Sequence, residues 1–162
     1  TYETAAIAAG QAPDRSCYRV ARSIFLADTK EEADRLARNN SLGQNFNYIG
    51  RLFDKGLGRQ IYKRDLEMRD EDCNLDFLMT DQIIAGDVDY ALERLDQLIE
   101  EVGEFGHLVL MSYDWDDKDS WVHSMELFAN ELMPRLNAKN MPNSEDHGLL
   151  LLVLFDVVES PH

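Results

Sequence analysis

GEFGHLVLMSYDW, residues 103–115, and SMELFANELMPRL, residues 124–136, together decide the fold. His107 to Tyr113 is a nearly continuous apolar run, the signature of a strand buried on both faces. Its end, Ser112 to Asp117, turns polar. A helical pattern then starts near Ser120, with Trp121, Met125, Phe128, Ala129 and Leu132 on one stripe, and Pro134 is expected to stop it. Strand, polar rim and helix in that order form a βα unit, which points to a parallel sheet.

The same order is legible upstream. Tyr18 to Ala27, YRVARSIFLA, reads as a second strand, with Arg19 and Arg22 interrupting its alternation. Asp28 and Thr29 open a helix; Thr29 with Glu32 makes a capping box, and Ala33, Leu36 and Ala37 give the apolar stripe. Asn39 to Gly43 breaks that helix, and Gln44 to Phe53 resumes it. Residues 54–76 are polar and Gly-punctuated, and read as an excursion loop, either a lid or a solvated insertion. Phe77 to Ala85 is a helical turn or short extended segment ending at Gly86. Asp87 then caps a helix whose Val88, Ala91, Leu92, Leu95, Leu98, Ile99 and Val102 recur at helical spacing, closed by Gly103. TYETAAIAAG at the start reads as the end of a further helix. The domain reading is a βα part over residues 1–142 and an apolar tail over 143–162.

Composition bounds the function. With 162 residues, 44% hydrophobic and 29% charged, the chain can bury a core. The formal net charge of -15 argues against nucleic acid and against an anionic membrane surface. The run Leu149 to Phe155 with Val157 and Val158 is too short to span a bilayer. Cys17 and Cys73 lack metal or redox spacing, and the four histidines show no paired ligand spacing, so a cytoplasmic chain without a metal site is expected.

In their order, YRVARSIFLADT, KEEADRLARNN, LGQNFNYI, GDVDYALERLDQLIEEVGEFG, the strand, Asp114–Trp115 and SMELFANELMPRLN resemble the C-terminal end of bacterial-luciferase-like flavin-dependent monooxygenases, in particular the limonene-hydroxylase-like branch. The resemblance covers roughly residues 18–137 and implies an α/β fold: the C-terminal βα units of a (β/α)8 TIM barrel, incomplete in this chain. A whole barrel needs roughly 250 residues. It further implies a parent enzyme that uses reduced flavin mononucleotide (FMN) and O2 to oxidise a small organic, terpene-like substrate, with a flavin reductase supplying the reduced cofactor. A deazaflavin enzyme on the same barrel is the variant reading. The family's phosphate grip lies in the part not present here. The chain alone is therefore expected to be inactive and not to bind FMN, and its partner is an N-terminal barrel half or a second copy. The alternative is a noncatalytic acidic α/β module that assembles through the apolar tail.

Catalytic and cofactor-binding residues are not identified by these patterns. The substrate-pocket candidates are Asn45, Phe46 and Tyr48 in the resumed helix and Ser112, Tyr113 and Trp115 on the rim, since aromatic side chains join apolar area to a polar handle. Each has a plainer role, as helix packing or, for the acidic rim, capping. Arg59, Lys63 and Arg64 in the loop either meet a phosphate or pair with Asp65, Glu67 and Asp70.

Overall fold

The computed structural model describes residues 2–56 and 58–140 and the backbone of 150–154. The described elements are α1 (Tyr2–Ala8), β1 (Arg19–Leu26), α2 (Lys30–Asn39), α3 (Ser41–Asp54), α4 (Leu75–Asp81), β2 (Ile83–Gly86), α5 (Val88–Val102), β3 (His107–Met111), α6 (Lys118–Leu127), a π-helical segment (Phe128–Leu132), α7 (Met133–Asn140) and β4 (Leu150–Leu154).

Local chemistry sets the helix boundaries. Thr29 accepts the Glu32 amide and starts α2. Asn40 ends α2 through its own N–H to the Leu36 carbonyl, and its side chain accepts the Leu42 amide to begin α3. One residue thus makes the break expected near Asn39. Asp87 accepts the Tyr90 amide at 2.8 Å to start α5, and Gly103, at φ +79°, ends it. The expected stop at Pro134 is not found. The helical run passes from α6 through the π segment into α7, with Pro134 in the first turn of α7. A proline ring collides with the carbonyl four residues back in a regular helix. Here the turn before it is widened, the Met133 N–H donating to the Phe128 carbonyl five residues back, and the ring is accommodated.

The four strands are all parallel, in the order β2-β1-β3-β4. β1 divides its pairing: Arg19 to Arg22 lie against His107 to Leu110 of β3, and Ser23 to Leu26 against Ile83 to Gly86 of β2. Parallel crossovers are right-handed. Because β2 and β3 flank β1 on opposite sides, the helices are sent to opposite faces. Phe25, Ala27, Ile83 and Ala85 pack with Ala33, Ala37, Leu42, Phe46, Leu78 and Met79 from α2, α3 and α4. Ile24, Leu26 and Ile84 pack with Ala91, Leu95 and Leu98 of α5 and with Phe128, Leu132 and Leu136. Phe25, Leu42, Leu95, Leu108, Phe128 and Leu132 are almost wholly buried, each contributing roughly 1.5–3 kcal/mol of apolar transfer.

The described sheet is therefore open and covered on two sides. In a closed (β/α)8 barrel, strands follow sequence order and helices lie outside. Ile24, Phe25 and Leu26 are apolar on both faces, and a central place between two helical layers removes all three from water. The short extended segment expected before Gly86 is β2, preceded by α4. The 54–76 excursion is pinned rather than loose, by Lys63–Asp70 at 2.6 Å, Arg69–Asp72 at 2.8 Å and the buried Cys73. Most of the 143–162 tail lies outside the described residues; its Leu150–Leu154 backbone adds to β3 as β4.

Candidate functional site

The polar rim lies where β1 and β3 part. Above Arg22 and Leu110 the two strands no longer pair, so the Leu26 amide, on the β3 side of β1, has no strand carbonyl to meet. α6 fills the fork. Ser124, 2% exposed, accepts the Leu26 N–H at 2.8 Å. Trp121 of the same helix sits edge-on to Phe25, ring centres 4.9 Å apart. In open α/β sheets the crevice outside the carboxyl ends of strands whose connections leave to opposite faces is the favoured ligand position. β1 and β3 meet that condition here.

Ser23 and Tyr113 form the polar core of this fork. Their hydroxyls are 2.6 Å apart. Ser23 is buried within the apolar run of β1, and Tyr113 packs tilted against Trp121 at 6.3 Å. Burial raises the Tyr113 pKa above that of a free phenol, the Ser23 hydrogen bond opposing the shift. The pair shares one hydrogen bond and holds two hydroxyl hydrogens, so one donor remains for a further acceptor. Around it, Ser41 Oγ donates to the Asp114 carbonyl, the Trp121 indole reaches Asp116 at 3.4 Å, and His123 is 2.8 Å from Asp28. Asp117 caps α6 by accepting from Ser120. Asn40, buried beside Ser41, has no partner for its Nδ2 among the described residues.

The expected pocket residues do not all meet. Phe46 and Tyr113 belong to one apolar cluster with Phe25 and Trp121. Phe46 is a core residue there, only 6% exposed. Asn45 is half-buried, and Tyr48, 55% exposed, stands on the outer side of α3. Ser112 is half-buried, and Trp115 lies partly open on the rim. Ser23, Trp121 and Ser124 join the site without having been singled out for it. Ser23 had one usable signal, a lone small hydroxyl inside a buried strand. The cations of the excursion are engaged by acids: Lys63 with Asp70, and Arg64 with Asp81 at 2.5 Å. Arg59 lies over the Phe53 ring at 5.5 Å. No group of three or more metal-ligating side chains occurs among the described residues.

The rim does not fit the phosphate of FMN. Its charged groups are mostly acidic, Asp28, Asp114, Asp116, Asp117 and Asp119 around the single Lys118, with His123 held by Asp28. A phosphate needs Lys, Arg or a row of free amides. The rim suits a neutral ligand with a hydrogen-bond acceptor and apolar surface.

No family model matches the chain. It is 33% identical over 137 residues to 3,6-diketocamphane 1,6-monooxygenase of Pseudomonas putida, covering 83% of this chain and 36% of that protein. It is 27% identical over 143 residues to 2,5-diketocamphane 1,2-monooxygenase 1 of the same organism, covering 84% and 39%. With 4-hydroxyprotoasukamycin monooxygenase of Streptomyces nodosus subsp. asukaensis it shares 29% identity over 128 residues, 79% of this chain and 33% of that one. Among solved structures it matches, with a TM-score of 0.68 and 34% identity over 83% of this chain and 38% of the other, a type II Baeyer–Villiger monooxygenase, the oxygenating constituent of 3,6-diketocamphane monooxygenase from the CAM plasmid of Pseudomonas putida, in complex with FMN. No described helix is long and apolar enough to cross a membrane. The chain spans a little over a third of the length of these relatives, and over that span it belongs to the luciferase-like flavin monooxygenase family.

Proposed function

We propose that the chain supplies the C-terminal βα units of a flavin-dependent, type II Baeyer–Villiger-like monooxygenase that oxidises a small alicyclic, terpene-like ketone with reduced FMN and O2, in the cytoplasm. The observation that carries this reading is the 33% identity over 137 residues to a diketocamphane monooxygenase. An FMN complex of the matched structure supports the cofactor, and its description as an oxygenating constituent supports a separate flavin reductase as partner. The relatives are enzymes, which favours this reading over a noncatalytic interaction module. In the parent barrel the rim would face the mouth, with Ser112, Tyr113 and Trp115 as one wall and the half-buried Asn45 of α3 as a neighbour. Residues 1–142 would be the barrel-derived part and 143–162 an added tail.

The acidic rim leaves the FMN phosphate to residues outside the rim. The contribution of these residues is binding and orientation: apolar surface from the part-exposed Trp115, backed by the buried Phe25 and Trp121, and a hydroxyl donor from the Ser23–Tyr113 pair. The test is FMN fluorescence quenching by the chain alone and by the chain supplied with the remaining N-terminal part of 3,6-diketocamphane 1,6-monooxygenase. The expected result is a gain in quenching over the chain alone, with O2-dependent oxidation of a diketocamphane by reduced FMN in the assembly and not by the chain alone. An assembly that forms but binds no flavin would overturn the proposal.

A further inference from the structure

On the α5 face of the sheet, across from Ser23 and Tyr113, a cavity of about 330 Å³ opens beside Arg22, Arg64, Arg94, Asp81 and Glu101. In a chain of net charge -15, these groups sum locally to +1, three guanidiniums against two carboxylates. Arg64 is committed to Asp81 at 2.5 Å, which neutralises that carboxylate and leaves Arg22 and Arg94 against Glu101.

Among the described residues, neither remaining guanidinium has all its donors taken by protein acceptors. Arg94 donates to the Gln97 Oε1 at 3.0 Å and to the Thr80 carbonyl at 3.2 Å, while its buried Nε has no partner among the described residues. Arg22 donates to the Ala21 carbonyl at 2.8 Å, its one hydrogen bond among the described residues. Its burial lowers its pKa; Asp81 and Glu101 oppose that shift, and Arg94 adds to it. A guanidinium has five N–H donors and cannot discharge at ordinary pH. The buried Arg94 Nε is costly while unmatched, and two neighbouring, part-buried guanidiniums together favour an acceptor of opposite charge between them. Phosphate oxygens match the guanidinium fork and take two hydrogen bonds from each. Ile84 and Leu98 give the cavity an apolar floor, and its volume is at the lower end of small-molecule sites.

We propose that this cleft binds a phosphate monoester, with Arg22 and Arg94 holding the phosphate and the organic group lying on Ile84 and Leu98. The site is separate from the rim and does not rest on the oxygenase reading. Exposed Glu101 works against the anion and so sets the affinity.

The experiment uses phenyl phosphate on the 162-residue chain, with benzoate as the comparison and sodium chloride holding ionic strength constant. Calorimetry and the side-chain Nε–H signals of the two arginines are the readouts. The expected result is saturable binding of phenyl phosphate with both signals moving, and benzoate at least about tenfold weaker. Arg22→Gln and Arg94→Gln each lose at least about tenfold, Arg22→Lys is weakened because it keeps charge without the fork, and Glu101→Gln tightens binding. Equal binding of benzoate, full binding by Arg94→Gln, or weakening by Glu101→Gln each overturns the assignment. Should Arg22→Gln fail to fold, the Arg94 and Glu101 variants still decide it.

Discussion

The fork between β1 and β3 makes a quantitative prediction at Ser124. In Ser124→Ala the Leu26 amide loses its acceptor in a place where the serine was 2% exposed. Water is poorly placed to replace it, and β3 has already diverged below this level. Leaving one buried donor unmatched costs roughly 1–3 kcal/mol, so a loss of about 2 kcal/mol is expected. With a urea slope of about 2 kcal/mol/M, the midpoint should fall by about 1 M. The hydrogen-exchange protection of the Leu26 amide should fall by about thirtyfold, the same free energy expressed as an equilibrium. Ser124→Thr keeps the hydroxyl and should stay within about 1 kcal/mol of the parent. A Ser124→Ala protein within 0.5 kcal/mol of the parent, with Leu26 still protected, would mean that this amide is bonded to a strand, and the fork would be wrong.

Other positions test separate parts of the argument. Gly106→Ala would put a Cβ 1.7 Å from the Ser16 carbonyl oxygen, so the backbone entering β3 must shift, and a melt should show a loss above about 2 kcal/mol. Gly50→Ala, inside α3 with open space around it, should instead raise stability by roughly 0.5–1 kcal/mol. Asp87→Ala removes the acceptor for the Tyr90 amide and should cost about 1 kcal/mol in urea, with Asp87→Asn largely spared. Tyr113 carries a pH signature. Its folded pKa is raised by burial, so the folded state holds its proton longer than the unfolded state. Stability is then level below the phenol's ordinary value near 10 and falls as pH rises from there through the folded pKa. Tyr113→Phe should flatten that alkaline fall in denaturation series and lose about 1 kcal/mol at neutral pH with the Ser23 bond.

The parts of the fold legible in the sequence are those written in local pattern. β1 and β3 are apolar runs, α5 carries a full stripe between Asp87 and Gly103, and the α2–α3 break announces itself in Asn39 to Gly43. β2 is four residues long and follows α4 after a single residue, too short for periodicity to separate strand from helix. Pro134 misleads because widening by one residue per turn is a backbone adjustment that no side chain in FANEL declares. The strand order is the largest step beyond sequence. Both alternatives use the same βα units, and only long-range pairing chooses between them. At the site, Tyr113 and Trp115 are legible because they follow directly on a strand, β3 ending at Met111, whereas Ser124 owes its place to the course of α6 across the fork. Arg22 looks in sequence like an interruption of β1, and acquires its surroundings only when α5 and α4 close beside it.

The open sheet and the proposed barrel differ at one set of bonds, and Ser124 reports on it. In the barrel, β2 would stand between β1 and β3, and the pairing of Arg19 to Arg22 with His107 to Leu110 would be released. The Leu26 amide, now bonded to α6, would then face a strand edge instead. The chain by itself gains from the observed order the pairing of β1 with β3, and it also gains β4 on the outer edge of β3, where the first strand of a closed barrel would lie. An N-terminal partner must therefore offer more than the sum of these pairings before the barrel forms. It follows that Ser124→Ala should weaken the isolated chain while favouring assembly with the N-terminal part, since the destabilised arrangement is the one that competes with it. Tighter assembly by the variant, read by native mass spectrometry at equal concentrations, is the expected outcome; an equal loss of stability in the chain and in the assembly would show that Ser124 holds Leu26 in both, and that β1 keeps its central place in the parent enzyme.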